Sequence, residues 1–517
     1  MNKIKILWAD DEIELLKPHI IFLENKGYDV IVTNNGNDAI ELINEHAFDI
    51  IFLDEQMPGM SGIQTLEMIK NINPNIPVVM ITKSEEENLM ENAIGSNITD
   101  YLIKPVNPNQ ILLSLKKILD NRKIITEKTT QSYQQEFRNI GMDLSNNLNF
   151  EEWTDIYKKL INWELRFESS SDQNMFEVFE MQKHEANSLF AKFIENNYSN
   201  WLSGKDKDRP IMSHFALKEL VFPTLGKKQK FMIVIDNMRL DQWRAIEKII
   251  SNIYRVDHEQ IISSILPTTT QYARNALFAG LMPSDIQRKY PQYWLNEDDE
   301  GTKNQHEEYF LGENLKRAGK GDIKFSYNKI LNLQAGKKYI ETLPQLMNND
   351  FNVVVYNFVD MLSHSKTEME IIKELADDDA AYRSLTESWF EHSSLYDVIE
   401  YLAYKQIDLI ITTDHGSVKI ADPVKIIGDK ATNTNLRYKV GRNLNYNKKE
   451  VVEAKKPEEF YLPKTNLTST YVFAKANDFF AYPNNFNYYV SYYKNSFQHG
   501  GVSLEEMLIP MAFLSPK

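Results

Sequence analysis

Apolar positions follow different rhythms in three successive stretches of this chain. Up to about residue 120, short apolar runs alternate with segments of helical period. Residues 3–9, 27–32, 48–54, 77–82 and 100–105 read as strands. Helical patterns run to about Lys26, over 38–46 and from Pro108 onward. Strands separated by helices predict a doubly wound sheet of five strands. Over 121–204 the period is helical throughout: Trp153, Tyr157, Leu160 and Trp163 form one stripe, continued by Phe176, Phe179, Leu189, Phe190, Phe193, Ile194 and Trp201. This predicts a helical bundle linker with an aromatic core. Residues 169–172 read as a turn with an N-cap, and 204–210 as a boundary. No Pro or Gly occurs between Pro108 and Gly141, so that helix is expected to continue past Arg122. Over 205–517 buried strands return at 231–235, 353–359, 408–413 and about 508–514. The fold class is α/β multidomain, divided 1–120, 121–204 and 205–517.

The strand ends carry the chemistry. In the first stretch they hold Asp10, Asp11, Asp54, Thr82 and Lys104. Clustered carboxylates repel unless a cation sits among them, and Mg²⁺ held by Asp10, Asp11 and Asp54 suits the set. Asp54 is then a nucleophile toward an activated phosphoryl group, with Lys104 neutralising its oxygens. Thr82 is expected to bond the new phosphate, and Tyr101 to follow it inward as a rotamer switch. In the last stretch the strand at 231–235 leads to Asp236. The strand at 353–359 ends in Asp360, with His364 four residues on. Asp414-His415 follows a third strand, and His499 precedes the last. Three aspartates and three histidines suffice for two metal ions with open coordination positions. Thr268, Thr269 and Thr270 open a helix, where a hydroxyl beside a metal can become a nucleophile. Arg274, one turn on, is a candidate phosphate contact.

Composition narrows the classes. A chain of 517 residues with 42% hydrophobic content holds several cores, and its net charge of −15 disfavours coating duplex DNA or an anionic membrane. No cysteine is present, so disulfides and thiolate zinc sites are excluded. The start is not a signal peptide, no membrane-length apolar run occurs, and no basic DNA-reading helix is seen in the middle. A cytoplasmic location is expected.

Residues 1 to about 120 resemble response-regulator receivers, carried by Asp10-Asp11-Glu12, by Asp54 followed by Met57-Pro58-Gly59-Met60-Ser61-Gly62, and by Thr82 and Lys104-Pro105. The resemblance implies phosphorylation of Asp54 by a histidine kinase. About 206–517 resembles the alkaline-phosphatase superfamily, and within it the PglZ-type domain, through Asp236, Pro267-Thr268-Thr269-Thr270, Asp360 with His364, Asp414-His415 and His499. It implies Asp360, His364 and His499 on one zinc and Asp236, Asp414 and His415 on the other. Thr270 is the implied nucleophile, with Thr268 and Thr269 still open. The missing cysteine disfavours a sulfatase, and no third-metal site is evident. A phosphodiesterase acting on small nucleotide or oligonucleotide diesters is therefore expected. The combination resembles the PorX family of Bacteroidetes, associated with type IX secretion. That implies a homodimer on phosphorylation, a PorY-type sensor kinase and a sigma-factor partner. A signalling scaffold with a structural metal domain is the alternative.

Overall fold

Strands β1 (Lys5–Ala9), β2 (Asp29–Thr33), β3 (Ile50–Asp54), β4 (Val78–Thr82) and β5 (Asp100–Ile103) are paired in parallel, in the order β2-β1-β3-β4-β5. Side chains alternate between two cores, as the period of two demands. Ile6, Trp8 and Phe52 face one; Leu7, Ala9, Ile51 and Leu53 face the other. Trp8 is fully buried against Phe52, with ring centroids 5.5 Å apart. Because β1 and β3 are neighbours, their carboxyl ends bring Asp10 and Asp54 side by side.

The computed structural model describes residues 3–73, 76–83, 98–168, 173–204, 209–297, 299–368, 376, 378–429, 432–464 and 468–517. The turn expected at 169–172, and 205–208 of the expected boundary, lie outside them. The chain forms two compact units, 1–135 with 166–173, and 136–165 with 174–517. One helix, Pro108–Leu144, runs from the first into the second and passes Arg122 without a break. The helices expected to make a separate linker are thus divided between the units. In the second unit, Phe150–Glu168 and Gln173–Leu202 pack Trp153 on Phe190 and Phe150 on Trp201, at centroid distances of 5.4 and 5.9 Å. Phe176, in the first turn of its helix, stays exposed. These helices are tied into the sheet domain by buried polar contacts. Lys183, paired with Glu164 between the two helices at 2.7 Å, also lies 3.6 Å from Glu505, Arg383 reaches Glu164 at 3.0 Å, and the Asn187 side chain accepts the Leu504 N–H at 2.7 Å.

The second sheet contains β6 (Lys230–Ile235), β7 (Tyr254–Ser263), β8 (Phe325–Ile330), β9 (Phe351–Tyr356), β10 (Asp408–Thr412) and the C-terminal strand Leu508–Pro516. Its order is β7, C-terminal strand, β10, β6, β9, β8. The last four are parallel, and the C-terminal strand runs antiparallel to both its neighbours. The run at 353–359 is not all strand. The ladder ends where Tyr356 pairs Ile235 and Ile330, and with no partner beyond, the chain turns into the helix Phe358–Glu368. Asp360 sits in that helix's first turn. Among the described residues no helix is long and apolar enough to cross a membrane.

The short helix Ser213–Ala216 packs against the helix Thr270–Ala279 and buries His214. Burial, aided by Arg209, holds the His214 pKa down to about 3. The folded chain therefore binds fewer protons there than the unfolded one below pH 6.5, so stability is full above that value and falls toward pH 3. Its share is at most about 1.4 kcal/mol per pH unit. Denaturation midpoints between pH 7 and 4.5 should fall less steeply in His214→Gln than in the native chain. Equal slopes would show that His214 carries none of the acid sensitivity.

Candidate active site

Asp236 and Asp414-His415 lie where β6 and β10 leave the sheet, the region in which open α/β sheets gather their ligands, while Asp360 and His364 stand on the helix after β9. At the end of β6 the Asp236 N–H still bonds the Tyr356 carbonyl at 2.9 Å. Asn237 then takes φ +64°, turning the chain back across the sheet edge. At the end of β10, the Thr413 hydroxyl donates to the His415 carbonyl at 2.8 Å and accepts the Met238 N–H at 3.1 Å. Two loops distant in sequence are laced together there.

The six expected ligands gather in two triads. Asp360, His364 and His499 each offer a donor atom within 4.8 Å of the others, and so do Asp236, Asp414 and His415. The first triad is reached from both sides: His364 Nε2 and His499 Nε2 each lie 3.5 Å from Asp360 Oδ1. The second is fully buried, with His415 Nε2 3.6 Å from Asp414 Oδ2 and 3.9 Å from Asp236 Oδ1. The His415 and His499 rings stack between the triads at 4.4 Å. His499 Nδ1 lies 3.2 Å from the Thr268 carbonyl and His415 Nδ1 3.1 Å from the Gly416 carbonyl. A carbonyl only accepts, so each Nδ1 carries the proton and each Nε2 keeps its lone pair for the site.

The electrostatics call for a cation. Burial, and Asp236 beside it, push the Asp414 carboxyl well above the usual carboxylate range. Its Oδ2 is buried with no hydrogen-bond partner. Burial raises Asp236 as well, against the pull of Arg274. Burial and the neighbouring His499 hold the His415 imidazole well below its ordinary pKa. Burial would also raise Asp360, but the neighbouring His364 and His499 outweigh it and hold it well below. Two sets of nitrogen and oxygen donors, one with an orphaned oxygen, fit two divalent ions of the zinc type.

Of the three threonines, Thr270 faces the buried triad. Its Oγ1 is 3.2 Å from His415 Nε2 and 3.4 Å from Asp236 Oδ1. Thr268 is occupied elsewhere, donating to the Gly501 carbonyl at 2.9 Å and accepting the Gly500 N–H at 3.0 Å. Thr269 is the helix N-cap residue, and its side chain bonds no helix N–H. Arg274 is neither a surface residue nor aimed outward. It is 1% exposed, and its Nη1 and Nε bond Asp236 and Glu307. Those contacts orient Asp236 and leave the phosphate-contact expectation without support from its position.

Two residues that matter here have no motif to mark them. Asn237 spans the triads: its N–H points to Asp414 Oδ1 at 3.5 Å, and its Nδ2 to Asp360 Oδ1 at 3.4 Å and Ser363 Oγ at 3.1 Å. A single Asn after a strand-ending Asp is too common to notice. Asn237→Gly keeps the positive φ and should fold with lowered metal affinity, whereas Asn237→Val should also lower the melting temperature. Equal melting temperatures for the two variants would count against the backbone argument. Glu506 is the second, buried beside the His499 loop.

In the first unit Asp10, Asp11 and Glu12 form a third donor group, while Asp54 stands across from it. Lys104 Nζ joins the two sides, 2.9 Å from Asp10 Oδ2 and 3.0 Å from Asp54 Oδ1. Burial pushes the Asp54 pKa up to about 6 despite the Lys104 contact. The Thr82 hydroxyl is bonded to Glu55, and Tyr101 is 41% exposed, outside the pocket.

Comparison with known proteins assigns a family to each stretch of the chain. The response regulator receiver domain family matches residues 6–116, the PorX response regulator linker domain 123–202, and the BREX system PglZ alkaline phosphatase-like domain 216–513. The chain is 33% identical over 140 residues to the transcriptional regulatory protein ZraR of Klebsiella oxytoca, covering 27% of this chain and 32% of that protein. It is 36% identical over 117 residues to a transcriptional regulatory protein CpxR homolog of Haemophilus influenzae, covering 22% and 50%. It thus spans half or less of those relatives' length. A two-component response regulator structure from Clostridium difficile is 31% identical, covering 23% of this chain and 97% of that one, with TM-score 0.22. The PglZ match alone takes in more than half of the chain. The protein belongs to the PglZ alkaline phosphatase-like family, in the PorX-type arrangement of receiver, linker and PglZ domain.

Proposed function

We propose that the chain is a phosphorylation-controlled, zinc-dependent phosphodiesterase acting on small nucleotide or oligonucleotide diesters. The observation that carries this reading is the position of the Thr270 hydroxyl against His415 and Asp236 of the buried triad. Asp360, His364 and His499 would hold one zinc, and Asp236, Asp414 and His415 the other. Zinc bound there would lower the pKa of the hydroxyl and polarise the phosphoryl oxygens. Thr270 Oγ forms the new bond to phosphorus as the ester oxygen leaves, its proton passing to solvent and the leaving group taking one from water. Water then cleaves the phosphothreonine and restores the hydroxyl. Arg274 fixes the Asp236 carboxylate throughout, and the Nδ1–H bonds of His415 and His499 fix the two rings. Hydrolysis of bis(p-nitrophenyl) phosphate, lost with chelator and restored by zinc, tests the reading. Persistent hydrolysis in the apoprotein would refute it.

Control on this reading enters at Asp54, from a partner such as a sensor histidine kinase of the PorY type, with Mg²⁺ at Asp10, Asp11 and Asp54. Acetyl phosphate with Mg²⁺ should label the native chain and leave Asp54→Ala unlabelled. Equal labelling of the two would remove Asp54 as acceptor. Beryllofluoride should shift the chain from monomer toward dimer, which light scattering reads. Contact with a sigma factor and a part in type IX secretion belong to the same proposal.

A further inference from the structure

The helix Phe486–Tyr493 presents two unlike faces. Phe486, Val490 and Tyr493, at helical spacing, pack against the cluster of Val418, Ile420, Phe479 and Ala481. On the other side Tyr488, Tyr489 and Tyr492 are 65%, 40% and 39% exposed. Tyr488 and Tyr492 stack at 6.2 Å and an interplanar angle of 15°, and Tyr489 and Tyr493 do so at 6.3 Å and 14°.

Charge says what kind of partner. The chain carries 73 acidic residues in 517, roughly one in seven, yet residues 479–504 contain none. Within that window Lys494 follows the helix, and Lys425 Nζ lies 4.9 Å from the Phe486 ring. The same segment runs into the strand Phe497–Gln498 and then to His499. Tyr492 stands seven positions before His499, so the near end of the platform lies within about 25 Å of that ligand along the chain. A polyanion meets no acidic side chain of this segment, and planar rings meet stacked tyrosines.

We propose that Tyr488 and Tyr492 form a stacking platform for bases of a single-stranded oligonucleotide whose diester lies at the Thr270 centre. This rests on the phosphodiesterase reading and extends it by assigning the binding surface. Stacking on aromatic side chains contributes about 1–3 kcal/mol per base and tolerates any sequence. Two probes separate the platform from the chemistry: a fluorescein-labelled eight-nucleotide oligothymidylate and bis(p-nitrophenyl) phosphate, which is too small to span both places.

In the full-length chain, Tyr488→Ala with Tyr492→Ala should weaken oligonucleotide binding, read by anisotropy, by about 10-fold or more. KM for the oligonucleotide should rise in step, with kcat held, and small-diester hydrolysis should not change. Tyr488→Phe with Tyr492→Phe should keep native affinity, since the ring faces remain. Unchanged oligonucleotide affinity in the alanine variant overturns the proposal and leaves this face to a protein partner. An equal fall with both probes overturns it as well, since the damage would then be to the centre itself. Should the native chain hydrolyse neither probe, the phosphodiesterase reading fails, while anisotropy still decides the platform.

Discussion

Thr270→Val is expected to lower the turnover of a small phosphodiester by about 10³-fold or more, because the attacking oxygen is replaced by a methyl of similar size. The fold should survive: Thr270 opens its helix as N1, and its hydroxyl bonds only within the site. Zinc content should therefore match the native chain. Thr269→Val tests the neighbouring hydroxyl, which bonds neither triad and caps no helix N–H; its turnover should stay within a few-fold of native. Steady-state kinetics on the two variants, with metal measured on the same samples, checks this. Comparable losses in both would move the nucleophile away from Thr270.

The second large effect is on stability, at Glu506. Its carboxylate is fully buried and accepts from the Gly501 N–H at 2.8 Å, Ser503 Oγ at 2.8 Å, and Arg437 Nη2 and Nε at 2.6 and 3.2 Å. It holds the loop carrying His499. Gly500 in that loop has φ +126°, and a Cβ there would come within 2.7 Å of the Tyr438 ring. Glu506→Leu leaves the Arg437 guanidinium buried without its counter-charge, a change that costs about 3–5 kcal/mol. Urea midpoints should fall accordingly, and zinc should be lost first from the triad containing His499. Glu506→Leu with Arg437→Met removes both charges and should recover part of the stability but not the metal. A single variant as stable as native would show that the pair holds nothing.

Much of the fold was legible because buried parallel strands write themselves as apolar runs. The five strands of the receiver, and β6, β10 and the C-terminal strand, were all visible in that way. The end of β9 was not, because Phe358 and Val359 resume the apolar pattern after Asn357 while the ladder that would hold them has stopped. The helices of the linker were legible in period but not in allegiance. Glu164, Lys183 and Asn187 look like solvated positions until Arg383, Leu504 and Glu505, far away in sequence, are placed against them. The six donors stood out because each follows a strand end or precedes a Gly-rich turn. Arg274 showed the limit: one turn after a threonine it reads as a phosphate ligand, and only the fold places Glu307 beside it. Asn237 and Glu506 act through hydrogen bonds to distant loops, which no local spacing records.

The central claim is that two triads each hold a metal, and counting zinc per chain tests it most directly. Protein dialysed against buffer with trace zinc, then measured by plasma mass spectrometry, should carry close to two ions per chain. His415→Ala and His499→Ala should each fall close to one, and together close to none. A native value near zero, or single variants that keep the native value, would contradict the account.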